Sequence, residues 1–220
     1  MGFADLQPIL QSLLESGKYS DLTISCEGQN FEVHRAIVCS QSPFFKAAVR
    51  GGFKETSSSQ VELPDDKLAT IQRVISFLYN QDYDEISIFD TQDAKDAITE
   101  VVQPCSTVQN NFEVFLAADK FDIPSLKTLA KTRLIDWIEK NPEKLSQIVR
   151  DIWVNIPPFE TELKNAIINA ISYNADTFLK HDEGIKILSD LPELTIAVLK
   201  ETVDENTRLK LRSRKMRGGW

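Results

Sequence analysis

The sequence predicts a mixed α and β chain, with short strands near the N-terminus and helices over most of the remainder. Three observations lead there. Apolar residues alternate along Leu22 to Cys26 and again along Asn30 to His34, the period of strands with one buried face. Leu68, Ile71, Val74, Ile75 and Leu78 share one helix face, as do Leu163, Ala166, Ile167, Ala170 and Ile171. The 220 residues, 42% apolar and 26% charged, give a globular chain room for one large core or two small ones.

The elements follow in order. "DLQPILQSLLESG" places Leu6, Ile9, Leu10, Leu13 and Leu14 at helical spacing, with Gly17 as a C-terminal stop. The two strands are joined by "EGQ", where Gly28 suits a hairpin turn. "AIVCSQSPFFKAAVRGG" is helical on either side of Ser42-Pro43, with Ser42 as cap and Pro43 at the first helical position, and Gly51-Gly52 ends it. A Ser-rich loop leads into the short strand "SQVELPDD", and a helix then runs from about Lys67 to Tyr79. From Asp82 to Asn111 the chain is acidic and weakly patterned, which reads as a loop or insertion with an edge strand near Ile86 to Phe89.

Helical pattern returns at "FEVFLAADKFDIPSLKTLAKTRLIDWIEKN", broken at Asp122-Ile123-Pro124, with Leu126, Leu129, Ala130, Leu134, Trp137 and Ile138 as its buried stripe. Beyond Asn141-Pro142 lie three or four more helices: Glu143 to Trp153, Phe159 to Asn174, a segment around Gly184 to Leu191, and Pro192 to about Thr207.

The net charge of −8 conceals an asymmetry. Residues 207–220 carry six basic side chains and no acid, so the rest of the chain stands at −14. An acidic body opposes nucleic-acid binding on the main fold; only the basic tail could bind a polyanion, and a solvated terminus or helix extension is the plainer reading of it. No apolar run approaches the roughly 18 residues that cross a bilayer, and no secretory signal opens the chain, so an intracellular protein that engages no membrane is expected. Cys26, Cys39 and Cys105 are odd in number and lack CxxC spacing, which indicates neither a disulfide framework nor a zinc site.

A search for chemistry finds little. His34 and His181 are the two histidines, neither in a triad or metal context, and HExxH, GxGxxG and the phosphate-loop pattern are missing. Cys39 is expected on a buried helix face, and His34 is expected to be a hydrogen-bonded packing residue. Asp65-Asp66 sits at a helix entrance, where acids are favoured by the helix dipole alone. The expectation is a protein that is not an enzyme and holds no cofactor or metal.

The order helix, hairpin "SDLTI…FEVHRAIVCSQSPFFKAAVRGGFKE", strand "VELPDD", helix "VISFLYNQDY", then "FLAADKFDIPSLKTLA" resembles the BTB/POZ domain family, especially its fungal branch, over about Ser20 to Ile138. The resemblance implies an α+β fold, a helical cluster capped by a small β-sheet, followed here by an all-α extension. It divides the chain into a BTB/POZ domain over 1–140 (with 82–111 as the insertion), a helical extension over 141–206 and a basic tail over 207–220. It also implies association rather than catalysis.

By this resemblance Asp21 and Arg35 lie near a dimer groove, where each could satisfy the other; the alternative is that both are exposed turn residues. The family dimerises through its first helix, so Leu6, Ile9, Leu10, Leu13 and Leu14 are expected in a two-fold homodimer interface. Family members that recruit a cullin-type ubiquitin ligase often carry an apolar-x-Glu triplet after the third helix, here Phe53-Lys54-Glu55. Phe53 would then fill a cullin pocket and Glu55 orient the contact. Phe53 could instead tuck back into its own domain, since burying one Phe contributes roughly 1.5–3 kcal/mol either way.

No kelch, MATH, ankyrin or zinc-finger pattern is present to capture a substrate. The expected function is a self-associating scaffold whose helical extension or acidic insertion holds a second, unknown protein. The alternatives are a substrate adaptor of a cullin-based E3 ligase, and a nuclear regulator using the basic tail.

Overall fold

The computed structural model describes residues 3–50, 59–85 and 104–217. Phe53, Glu55, the Gly51-Gly52 pair and the edge strand expected at 86–89 lie outside the described residues. Two compact units divide at Lys131 and Thr132.

In the first unit, helix α1 (Phe3–Ser16) precedes the hairpin β1 (Leu22–Cys26) and β2 (Gln29–Val33). Leu22 faces Val33 and Cys26 faces Gln29 in antiparallel register. The turn between them takes positive φ at both centres, Glu27 at 46° and Gly28 at 81°, the handedness that matches the strand twist and favours glycine. Strand β3 (Gln60–Glu62) lies parallel to β1 on its other side, giving the order β2-β1-β3. Leu22, Ile24 and Cys26 alternate inward on β1, as their period requires. Strand β2 starts and ends one residue earlier than expected, because His34 leaves the ladder to become the N-cap of the next helix.

Helices α2 (Arg35–Gln41) and α3 (Pro43–Arg50) break where Ser42 is extended, at φ −129° and ψ 109°, the conformation a following proline imposes. Ser42 is fully buried and caps twice: its Oγ accepts from the Phe45 N–H (3.2 Å) and donates to the Phe121 carbonyl (2.6 Å). Phe44, Phe45 and Phe121 close around this link, with ring centroids 5.1–5.3 Å apart; Phe45 and Phe121 are buried and Phe44 is half-buried.

Helix α4 (Leu68–Asn80) buries all of its predicted stripe except Leu68, which is half-buried. It packs against α1, α2 and α5. Helix α5 (Pro104–Lys120) corrects the reading of the last part of 82–111 as loop or insertion. It begins on a proline suited to a first turn and buries Val108, Asn111, Phe112 and Phe115 at helical spacing; the acidic stretch before it masks this pattern. Helix α6 (Pro124–Lys140) buries Leu126, Ala130, Leu134 and Ile138 in steps of four, while Leu129 and Trp137 are half-buried.

In the second unit, a 3-10 turn (Pro142–Lys144) leads into α7 (Leu145–Asn155), α8 (Thr161–Tyr173), α9 (Ala175–Phe178), α10 (Asp182–Asp190) and α11 (Pro192–Arg217). Helix α8 packs on α11, and α10 on α7. A Cβ at Gly184 would overlap the Phe178 carbonyl, so only glycine lets α9 approach α10 there. Helix α11 runs ten residues past its expected end, because no breaker precedes Gly218 and basic side chains are favoured in a final turn.

Ser42→Ala removes a cap and leaves the buried Phe45 N–H without its acceptor. It is expected to cost about 2 kcal/mol and lower the melting temperature by about 4–8 °C, measured by thermal unfolding.

Candidate interaction surfaces

Helix α1 does not treat its five apolar residues alike. It packs along α4 of its own chain, and Leu10, Leu13 and Leu14 are half-buried. Leu6 and Ile9 stay exposed, at 40% and 52%. The sticky face is therefore sheltered at its C-terminal end and open at its N-terminal end.

Asp21 and Arg35 do come together, each through the other's backbone. The Asp21 carboxylate accepts the Arg35 backbone N–H at 2.7 Å, and Arg35 Nε donates to the Asp21 carbonyl at 3.0 Å. The guanidinium also donates from Nη2 to Ser59 Oγ at 2.8 Å. His34 gives α2 no side-chain cap, so a carboxylate from 14 residues upstream takes that role, favoured by the helix dipole. Asp21 is exposed and Arg35 half-buried.

Beneath them lies a polar link between distant segments. His34 is 8% exposed and Tyr79 is fully buried. The Tyr79 hydroxyl accepts the His34 backbone N–H at 2.9 Å and lies 2.8 Å from His34 Nδ1, while Nε2 lies 2.7 Å from the Lys18 carbonyl. A carbonyl can only accept, so Nε2 carries the proton and Nδ1 accepts from the tyrosine O–H. Burial pushes the Tyr79 phenol up to about 12, with the Asp21 charge adding to this and the His34 backbone N–H opposing it. Sequence reasoning placed His34 correctly as a packing residue and missed Tyr79 and Lys18; the available signal was a tyrosine on a buried helix face, which needs a partner.

Two thiols are described, at Cys26 and Cys39. Cys26 Sγ donates to the Asp66 carbonyl, and burial raises both Cys26 and Cys39 above the usual thiol range. Cys39, expected to be buried, is half-buried. Among the described residues no cluster of three or more His, Cys, Asp or Glu could hold a metal ion, and no helix is long and apolar enough to cross a membrane.

The helix, hairpin and helix-pair order is matched by the family model of the BTB/POZ domain over residues 10–136. The chain belongs to the BTB/POZ domain family. Its sequence is similar to "Kelch repeat and BTB domain-containing protein 4" of Mus musculus, 31% identical over 137 residues, covering 57% of this chain and 26% of that protein. It is also similar to "Kelch-like protein 30" of Homo sapiens, 33% identical over 75 residues, 34% of this chain and 13% of that protein. Among solved structures, the BTB domain of zebrafish PATZ1 matches with a TM-score of 0.42 at 12% identity, covering 59% of this chain and 87% of that one. The chain thus spans about a quarter of the length of the first curated relatives it matches. Those named are vertebrate proteins.

In this BTB domain Tyr79→Phe strands two buried groups of His34, the N–H and Nδ1, at an expected cost of about 2–4 kcal/mol. The phenol is ordinarily near 10 and is held at about 12 in the fold. Between those values the native state keeps a proton that the unfolded chain has lost, so stability falls as pH rises. Urea unfolding at pH 8, 10, 11 and 12 is expected to show the gap between wild type and Tyr79→Phe narrowing across that window.

Proposed function

We propose that this BTB/POZ protein is a non-catalytic interaction module that homodimerises through α1 and serves as a scaffold. The observation that carries the reading is the open end of α1, where Leu6 and Ile9 stand exposed on a helix otherwise seated on α4. Apolar side chains left wet at one end of an amphipathic helix gain by meeting a second copy, and a two-fold axis lets one patch serve both partners. Of the remaining candidates, Leu10, Leu13 and Leu14 are half-buried on the same helix, and Asp21 and Arg35, exposed and half-buried, follow beyond its C-terminal end. Raised thiol and phenol values at Cys26, Cys39 and Tyr79 favour un-ionised side chains, in keeping with a packing role rather than nucleophilic work. The helical extension offers a second partner its outward Val154 and Phe159, 63% and 94% exposed.

A second reading, substrate adaptor of a cullin-based ubiquitin ligase, is favoured by the Phe53-Lys54-Glu55 triplet after α3 in a chain similar to kelch-and-BTB proteins. It shares the dimer and adds a cullin contact at Phe53 and Glu55.

Light scattering of the full chain at micromolar concentration is expected to give twice the mass of one chain, and Leu6→Lys/Ile9→Lys the mass of one with an unchanged far-ultraviolet circular dichroism spectrum. A monomeric wild type sinks the homodimer. For the adaptor, purified cullin is expected to bind wild type and to lose about tenfold or more on Phe53→Ala; no binding by wild type ends that reading.

A further inference from the structure

We infer that the groove between α1, β2 and α4 receives an extended, basic peptide segment of a partner protein, which adds to the outer edge of β2. The groove encloses about 750 Å³ within the first unit. Four consecutive residues of β2, Gln29 to Glu32, line it. Successive side chains of a strand point to opposite faces, so a groove that touches consecutive residues runs along the strand's backbone edge. Among the described residues β2 pairs with β1 alone, and on a strand paired along one side every second N–H and C=O faces away from that partner. Such an edge is a template for another strand.

The chemistry of the walls selects the segment. Leu14, Phe31, Ala69 and Ile75 supply the apolar lining, suited to alternate side chains of an extended chain. Glu15, Glu32 and Asp84 place three exposed carboxylates around it. The one cation in the lining, Arg73, is buried and turned onto its own chain, donating to the carbonyls of Ala69, Asp84 and Glu85. The rim thus presents net negative charge to whatever enters, and an incoming strand with apolar and basic residues in alternation satisfies lining and rim at once. This inference does not depend on the homodimer, since peptide binding and particle mass are separate readouts.

The test uses the full-length protein and a fluorescein-labelled hexapeptide, Val-Arg-Val-Lys-Val-Arg, followed by anisotropy at low salt. Saturable binding is expected, weakened at least about tenfold by Glu15→Lys/Asp84→Lys, both exposed side chains whose loss leaves the melting temperature unchanged. The same peptide N-methylated at its third and fourth amides keeps its charge and loses the strand donors; it is expected not to bind. Hydrogen exchange is expected to slow at the β2 amides on addition of the unmodified peptide. No binding by wild type, equal binding by the double variant, or equal binding of the N-methylated peptide overturns the inference. Binding seen only with Leu6→Lys/Ile9→Lys also overturns it, because the occupant is then a second copy of this chain.

Discussion

One buried phenol holds three separate stretches of the BTB domain in register. Tyr79 arrives on α4, accepts the backbone N–H of His34 where β2 hands over to α2, and donates its O–H in a hydrogen bond to the imidazole, whose other nitrogen reaches the Lys18 carbonyl just past α1. A buried hydroxyl or imidazole with one partner missing costs more than the hydrogen bond was worth, since water cannot replace what is lost. The four groups therefore hold together or fail together. Because Lys18 follows closely on α1, this link also anchors the C-terminal end of that helix.

A second constraint acts one layer further out. Asp21 and Arg35 exchange bonds with each other's backbone rather than forming a carboxylate–guanidinium pair. An exposed ion pair contributes little after screening and side-chain entropy are counted. Capping does more with the same charges: Asp21 satisfies the first N–H of α2, and Arg35 ties the chain before β1 to Ser59 before β3. The ends of two strands and a helix are thereby joined at one point, and the polar groups that a short sheet leaves open at its end are accounted for.

These links explain which parts of the molecule were legible in the sequence. Periodicity is local, so the alternation of Leu22, Ile24 and Cys26 and the stripe from Ile71 to Leu78 were readable within a few residues. Ser42 as a cap was readable too, because proline follows it. Its bond to the Phe121 carbonyl spans 79 residues and His34 to Tyr79 spans 45; nothing in local spacing encodes such partners. Helix α5 was hidden because its first turns follow an acidic stretch whose composition resembles a loop, and its buried residues include Asn111, which is polar and bonded to the Tyr83 hydroxyl. The five α1 residues were found as a face, but a helix face read from sequence has no inside and outside until a neighbour is placed. Only α4 divides Leu13 and Leu14 from Leu6 and Ile9.

That division has a physical consequence for how the domain can associate. Helix α1 is held at its C-terminal end by α4 and by the Lys18 bond beyond it, while its N-terminal end meets solvent. A helix pre-ordered in this way costs less to dock, since its backbone entropy has already been lost on folding. Yet the exposed area at Leu6 and Ile9 is small beside the roughly 800 Å² per partner of a standard interface. A stable dimer must therefore enlist neighbouring surface, and the half-buried Leu10 with the exposed Gln11 and Ser12 lies nearest in sequence. The same reasoning separates this face from the β2 edge, where main-chain groups rather than side-chain area supply the affinity.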